Sequence, residues 1–155
     1  MPTFRDWQPV PPDSLLFHHI GVACHPDATT QGAERAKFEL LGYRCEGEEW
    51  TDERLGMRGQ FMTAADSEAP RLELVAPYGS QNPVTLWLER GVKLYPLAFL
   101  ATDLSAELER MRTNGAKLML PPTPAVGFGG RKVAFVMLPN RLLVELVESG
   151  LQQLP

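Results

Sequence analysis

Two similar apolar runs, each with a carboxylate near its centre, organise the pattern of this chain. Residues 71–77 read Arg-Leu-Glu-Leu-Val-Ala-Pro, and residues 142–148 read Leu-Leu-Val-Glu-Leu-Val-Glu. Short runs rich in Leu and Val are typical of buried strands. Because side chains alternate along a strand, Glu73 and Glu145 would each point away from their apolar neighbours. The pattern predicts two equivalent strands, and therefore an internal repeat, with both carboxylates facing a shared interior.

The residues around these runs predict the same order of elements twice. For the first copy we expect a strand at 17–24, a helix from Thr29 or Thr30 to Leu41, and strands at 43–50, 57–64 and 71–76. For the second we expect a strand at 95–101, a helix capped by Asp103 or Ser105, and strands at 117–120, 131–138 and 141–147. Gly42 and Gly115 end the two helices. The segment 121–130 holds three prolines and three glycines, which predicts a loop and a candidate lid.

This order predicts an α+β fold built from two βαβββ modules, at residues 17–77 and 94–148. Residues 1–16 carry several prolines and are interpreted as an extended N-terminal arm. Residues 78–93 form a linker with a short helix at 83–89, because proline suits a first helical position. Residues 149–155 form a C-terminal tail. Aligning the modules places Glu73 on Glu145 and His19 on Pro96.

Composition narrows the class of protein. The chain has 155 residues, of which 44% are apolar and 22% charged, as in soluble globular domains. A net charge of −4 without a Lys/Arg-rich run argues against nucleic acid or an anionic membrane as partner. No apolar run reaches the ~18 residues that a membrane span needs, and no signal-peptide pattern opens the chain. Its two cysteines are interpreted as reduced thiols of a cytoplasmic protein.

Five short stretches together resemble the vicinal oxygen chelate superfamily, which includes glyoxalase I, methylmalonyl-CoA epimerase, extradiol dioxygenases and bleomycin-resistance proteins. The stretches are His-Ile-Gly-Val-Ala at 19–23, Leu-Leu-Gly-Tyr at 40–43, Leu-Glu-Leu-Val-Ala-Pro at 72–77, Thr-Asp-Leu at 102–104 and Leu-Leu-Val-Glu-Leu at 142–146. Within the superfamily, the chain most resembles the methylmalonyl-CoA epimerase-like branch. The resemblance implies paired modules whose mixed sheets curl into a cleft with flanking helices, and a homodimer.

The resemblance also implies a divalent metal site in that cleft. His19 matches the ligand on the first strand of module one, Glu73 the ligand on its last strand, and Glu145 the ligand on the last strand of module two. The fourth position, a His in most metal-binding relatives, holds Pro96, which has no lone pair to offer. One nitrogen and two carboxylates suit Mn²⁺, Co²⁺, Ni²⁺, Fe²⁺ or Zn²⁺ and leave positions open to water or substrate.

Glu145 and Glu53 are the candidate catalytic residues. Epimerases place a Glu just before the third strand as acid or base, and the matching position here is Arg54, with Glu53 one residue away. A different interpretation of the two strand carboxylates is burial in ion pairs, for instance with Arg58 or Arg71. A further expectation concerns His18, which alternation places on the opposite face of its strand from His19.

Two functions from different classes fit these residues. The first is a metal-dependent isomerase or lyase that acts on a small oxygenated molecule, an acyl thioester or 2-oxo compound, through an enediolate-type intermediate. The second is a non-catalytic protein that binds or sequesters a small molecule and keeps a degenerate metal site. Pro96 favours the second function, and the three remaining ligands favour the first.

Overall fold

The computed structural model describes residues 14–25, 28–79 and 82–150. The first half contains β1 (Leu15–Ala23), α1 (Ala28–Glu39), β2 (Tyr43–Asp52), β3 (Met57–Ala64), β4 (Leu72–Pro77) and α2 (Pro83–Glu89). The second half contains β5 (Leu94–Ala101), α3 (Leu104–Thr113), β6 (Lys117–Pro124), a 3-10 turn (Val126–Phe128), β7 (Lys132–Met137) and β8 (Leu143–Glu148). The order βαβββ therefore occurs twice and confirms the predicted α+β fold. Most of the expected N-terminal arm and C-terminal tail lies outside the described residues.

Two element boundaries differ from the sequence prediction. Strand β1 begins at Leu15, inside the expected arm, and β6 continues to Pro124 although a loop was predicted from Pro121. Strand β6 lies at one end of the sheet, so its outer side has no ladder of hydrogen bonds for a proline to interrupt. Its pairing with β7 also shifts register between Leu120 and Thr123, which accommodates the prolines between them.

The strands form one continuous mixed sheet of eight strands in the order β2-β3-β4-β1-β5-β8-β7-β6. Within each module the first strand pairs in parallel with the last one, β1 with β4 and β5 with β8. The antiparallel pairing of β1 with β5 joins the two modules at the centre of the sheet. The first and last strands of both modules therefore lie side by side in the middle of the molecule.

The register of the parallel pairs shows which positions of the two modules are equivalent. Glu73 lies opposite Gly21 of β1, and Glu145 lies opposite Ala98 of β5. His19 lies two residues before Gly21 on β1, and Pro96 lies two residues before Ala98 on β5. The structure therefore confirms the alignment that the repeated sequence predicts.

Both first strands are irregular where they meet. In the β1–β5 ladder the register shifts between Ile20 and Gly21, and Pro96 is the residue of β5 left unpaired. This is the expected behaviour, because proline has no backbone N–H to donate to a ladder. A second shift leaves out His18 of β1, so that strand carries a bulge directly before His19.

The two faces of the sheet differ in what covers them. Helices α1 and α3 pack on the outer face, where Phe38 lies against Leu72 and Leu74, and Leu104 lies against Val144 and Leu146. The inner face is concave, since Asp52 at the end of β2 meets Val126 just beyond β6, at opposite ends of the sheet. In the part of the chain that the structure describes, no helix combines the length and the apolarity needed to cross a membrane.

Candidate metal centre

Three side chains from three central strands meet on the concave face. His19 comes from β1, Glu73 from β4 and Glu145 from β8, and one possible ligand atom from each lies within 4.8 Å of the others. The His19 Nε2 atom is 2.6 Å from Glu73 Oε2 and 3.3 Å from Glu145 Oε2. All three residues are buried, and His19 has no exposed surface. We call these three residues the trio.

The ion pairs of the structure argue against the alternative interpretation, in which arginines neutralise the two carboxylates. Arg71 instead pairs with Glu46 at 2.9 Å, and Arg58 lies 3.8 Å from Glu49. The cationic partner that Glu73 and Glu145 share is His19. The structure thus brings together the residues that the resemblance assigned as ligands.

Burial and charge act in opposite directions on the trio. Burial lowers the pKa of His19, but the negative charge of Glu73, with the nearby Glu145, outweighs burial and raises this pKa to about 10. Burial also raises the pKa of Glu145, and the charge of Glu73 raises it further, against the opposing effect of His19. In the absence of a cation the trio therefore retains a proton at neutral pH.

The donor atoms of the trio fit a divalent cation. The Nε2 atom of His19 is buried and makes no hydrogen bond of acceptable geometry, although Glu73 lies 2.6 Å away. Without a cation, a proton holds this nitrogen and the two carboxylates together, and a divalent ion would take the place of that proton. An imidazole nitrogen with two carboxylates is a donor set that borderline and hard divalent ions accept.

His18 lies on the same side as His19, and the expectation that the two rings face opposite ways was wrong. The Nδ1 atoms of His18 and His19 are 2.8 Å apart, and the ring centroids 5.1 Å apart. The bulge at His18 breaks the alternation of side chains and turns both rings into the cleft. Burial lowers the pKa of His18 to about 4, and positive charge on His19, Arg71 and Arg131 adds to this. Its imidazole is therefore neutral and can donate or accept a hydrogen bond.

The predicted lid segment covers the trio. Phe128 stacks on the His19 ring with centroids 5.9 Å apart and an interplanar angle of 23°, and Phe61 contacts the same ring edge-on at 5.4 Å. The Val126 backbone N–H donates a 2.8 Å hydrogen bond to Asp52 Oδ2, which holds this covering loop (residues 125–130) in place. Only about 20 Å³ remains in the cavity that reaches Glu73 and Glu145, which is room for a single water molecule.

Glu53, the other candidate base, lies apart from the trio. It is exposed and lines a cavity of about 810 Å³ together with Thr51 and Arg54. The buried Asp52 lines both this cavity and the narrow one beside Glu145, and therefore stands between them. The structure places Glu145 in the trio and Glu53 at the rim.

A curled mixed sheet of two βαβββ modules, with an imidazole and two carboxylates converging on its central strands, defines the structural class of this protein. Comparison with known proteins identifies the family within that class. Residues 18–135 match the model of the Glyoxalase/Bleomycin resistance protein/Dioxygenase superfamily, and the chain belongs to this superfamily. The predicted resemblance is confirmed.

Among solved structures, the chain is similar to methylmalonyl-CoA epimerases. The Mycobacterium tuberculosis enzyme is 24% identical, with a TM-score of 0.69 over 88% of this chain and 89% of that one. A Streptomyces coelicolor methylmalonyl-CoA epimerase variant in complex with 2-nitronate-propionyl-CoA is 26% identical, with a TM-score of 0.65 over 86% of this chain and 96% of that one.

A curated sequence relative is the uncharacterized protein YqjC of Bacillus subtilis. It is 37% identical over 81 residues, which make up 50% of this chain and 57% of that protein. The match therefore spans little more than half the length of this relative. The substrate therefore has to be argued from the site.

Proposed function

We propose that this protein is a metal-dependent isomerase or lyase that acts on a small oxygenated substrate, an acyl thioester or a 2-oxo compound. The observation that carries the proposal is the trio, in which one buried imidazole and two buried carboxylates converge. Among the described residues, the cationic group within ion-pair distance of both carboxylates is His19. The similarity to methylmalonyl-CoA epimerases, one of them in complex with an acyl-CoA analogue, supports an acyl thioester among the candidates.

His19, Glu73 and Glu145 would hold the divalent ion, which in such a site supplies the Lewis acidity that polarises a carbonyl. Pro96 occupies the position equivalent to His19 and offers no donor atom. A site with fewer protein ligands keeps a place for substrate oxygen, as catalytic sites require.

The reaction also needs a group that moves a proton at the carbon beside the carbonyl. The Glu145 carboxylate lies in the cleft beside His19, and an oxygen that the metal leaves free would accept and return the proton. Phe128 and Phe61 wall the cleft and would exclude water from the reacting carbon. Glu53 is the second candidate for this role, at the rim.

A second function, non-catalytic binding or sequestration of a small molecule, is favoured by one observation. Pro96 removes the fourth donor of a four-ligand site, so we expect weak metal binding in the native protein. The Pro96→His variant restores a side-chain donor at the equivalent position and therefore tests whether the cleft is a metal site at all.

Calorimetric titration with Mn²⁺, Co²⁺, Ni²⁺ and Zn²⁺ tests the metal site. We expect weak binding by the native protein, tighter binding by Pro96→His and no binding by His19→Ala. The Arg112→Gln variant, on the outer helix α3, serves as a control that should bind like the native protein. If neither the native protein nor Pro96→His binds any of these ions, the cleft is not a metal site and the binding function stands instead.

Exchange of the carbon-bound proton in deuterated water, followed by NMR, tests the chemistry. A propionyl thioester and 2-oxobutyrate are the two probes, each in the presence of the ion that binds best. With each variant saturated with metal, exchange should be lost in Glu145→Gln and kept in Glu53→Gln, and the reverse result would assign the base to Glu53. Metal binding without exchange of either probe would refute the catalytic proposal.

A homodimer belongs to the same proposal. The sheet ends in two edge strands, β2 and β6, and natural proteins often cover such edges by pairing chains. Sedimentation velocity over a range of concentrations would detect the dimer, and a monomer throughout would exclude it.

A further inference from the structure

A further cavity of about 400 Å³ lies on the concave face, between α2 and the strands of module two. Its walls are mostly apolar and include Leu86, Trp87, Met119, Leu120, Met137 and Leu143. Two guanidinium groups, those of Arg54 and Arg90, also line it. The volume is in the range of about 300–1,000 Å³ that small-molecule sites in proteins occupy. We call it the apolar cavity.

The apolar cavity adjoins the trio. Leu55, Met57 and Phe135 line both this cavity and the narrow one that reaches Glu73 and Glu145. A substrate whose oxygenated end lies at the trio therefore has its remaining atoms directed past these three side chains. Such a substrate would extend from Glu73 and Glu145, past these apolar side chains, to the two arginines.

The arginines of the apolar cavity are available to a ligand. Both Arg54 and Arg90 are exposed, and among the described residues neither forms an ion pair. Two apolar wall residues are also partly open to solvent, since Leu86 is 46% exposed and Met119 is 53% exposed. An exposed apolar surface beside unpaired cations is complementary to a molecule with an apolar chain and an anionic group.

We propose that the apolar cavity binds the distal part of the substrate, an extended apolar chain that carries a carboxylate or phosphate. Guanidinium groups recognise either anion through paired, charge-assisted hydrogen bonds. The identification of this molecule as the substrate rests on the proposed function. The binding of the chain and its anion does not, because no atom of the trio contributes to this cavity.

The test uses three ligands that share one chain: decanoate, decyl phosphate and decanol, titrated into the whole protein in the presence of EDTA. We expect one or both anions to bind at least about tenfold more tightly than decanol, which is a difference of about 1.4 kcal/mol. The preferred anion then decides between carboxylate and phosphate. Equal binding of all three would overturn the proposal, because the arginines would then recognise nothing.

Variants locate the binding. Arg54→Gln and Arg90→Gln should each weaken the anions about tenfold and leave decanol unchanged, since each removes one charged partner. Arg112→Gln is the matched control, because Arg112 lies on the outer helix α3 and pairs with Glu109. Anion binding that survives both cavity variants, or that the control weakens equally, would refute the proposal.

Two further variants separate the possible failures. Met119→Trp places a larger side chain from β6 in the cavity and should abolish binding of all three probes. If it instead dissociates a dimer, the occupant is a second copy of the chain and the proposal is wrong. Glu145→Ala should abolish metal binding and leave the anions bound. Loss of either property alone therefore identifies which of the two proposals has failed.

Discussion

Metal binding by the trio should strengthen steeply as the pH rises. A ligating imidazole must be neutral, whereas the charge of Glu73 and the nearby Glu145 raise the pKa of His19 to about 10 despite its burial. At neutral pH an incoming cation must therefore displace a proton. Because the free protein remains protonated until the pH approaches about 10, the competition persists across the whole physiological range.

The size of the effect follows from the fraction of neutral imidazole. For a pKa of about 10, that fraction rises roughly 100-fold between about pH 6.5 and about pH 8.5, so the apparent Kd should fall roughly 100-fold. A histidine at its ordinary pKa of about 6.5 would change its neutral fraction only about twofold over the same range. The two cases differ enough for a direct measurement.

The assay is calorimetric titration of Pro96→His with Ni²⁺ at several pH values, in buffers of different ionisation enthalpy. The heat should report release of about one proton for each ion bound. Glu73→Gln removes the main carboxylate partner of His19 and should flatten the pH dependence. A change of only about twofold between about pH 6.5 and about pH 8.5, without proton release, would refute this account of the trio.

The same pKa fixes how the metal-free protein responds to alkali. The pKa of His19 is raised on folding, so the protonated imidazole contributes stability fully below its ordinary pKa of about 6.5. This contribution is lost as the pH rises through about 10. The midpoint of urea unfolding of the metal-free protein should therefore decline over that interval.

Two further predictions concern thiols and packing. Burial raises the pKa of Cys24 to about 11, so iodoacetamide at neutral pH should modify the exposed Cys45 alone, and rapid labelling of both in the native protein would contradict the fold. In Gly59→Ala the new Cβ would lie 2.3 Å from Trp50 Cζ2, and urea unfolding should show a loss of about 1–3 kcal/mol. Gly32→Ala is the control, because Gly32 lies in helix α1 and the atom nearest to its new Cβ would be 3.9 Å away. Its free energy of unfolding should rise by about 0.5–1 kcal/mol. If both variants lost the same free energy of unfolding, the contact of Gly59 with Trp50 would not be the cause.

The repeat and the module order could be predicted from local signals in the sequence. These signals are the alternation around Glu73 and Glu145, and helices that end at glycines with positive φ, 90° at Gly42 and 91° at Gly115. The convergence of His19 with the two carboxylates was expected from the family resemblance. Because the two copies carry the same signals, the equivalence of His19 and Pro96 in the two modules could also be predicted. The structure adds the register that makes these positions equivalent.

Other features depend on contacts between distant parts of the chain and leave little local signal. The bulge that turns His18 into the cleft depends on how β1 pairs with β5, which alternation along one strand does not reveal. The extension of β6 through its prolines is possible because this strand ends at the edge of the sheet. The hydrogen bond that fixes the covering loop joins Asp52 to Val126 across 74 positions of sequence.

The irregularities in β1 and β5 also matter before the protein is complete. Without β5, the side of β1 that faces it would be an open edge, and such an edge is a template for pairing with other chains. At about 5–20 residues per second, synthesis of the stretch between Glu73 and Ala101, the last residue of β5, takes roughly 1–6 s. During this time module one can form His19–Glu73 but lacks its partner strand.

Once β5 is made, its other side stays open until β8 follows, and Pro96 limits the danger on that strand. Proline has no backbone N–H and therefore interrupts a regular ladder along β5. Bulges and prolines are devices by which natural sheets blunt an exposed edge. Pro96, which offers no ligand atom to the proposed metal site, should therefore also protect a half-made chain from aggregation, and Pro96→His should lose some of that protection.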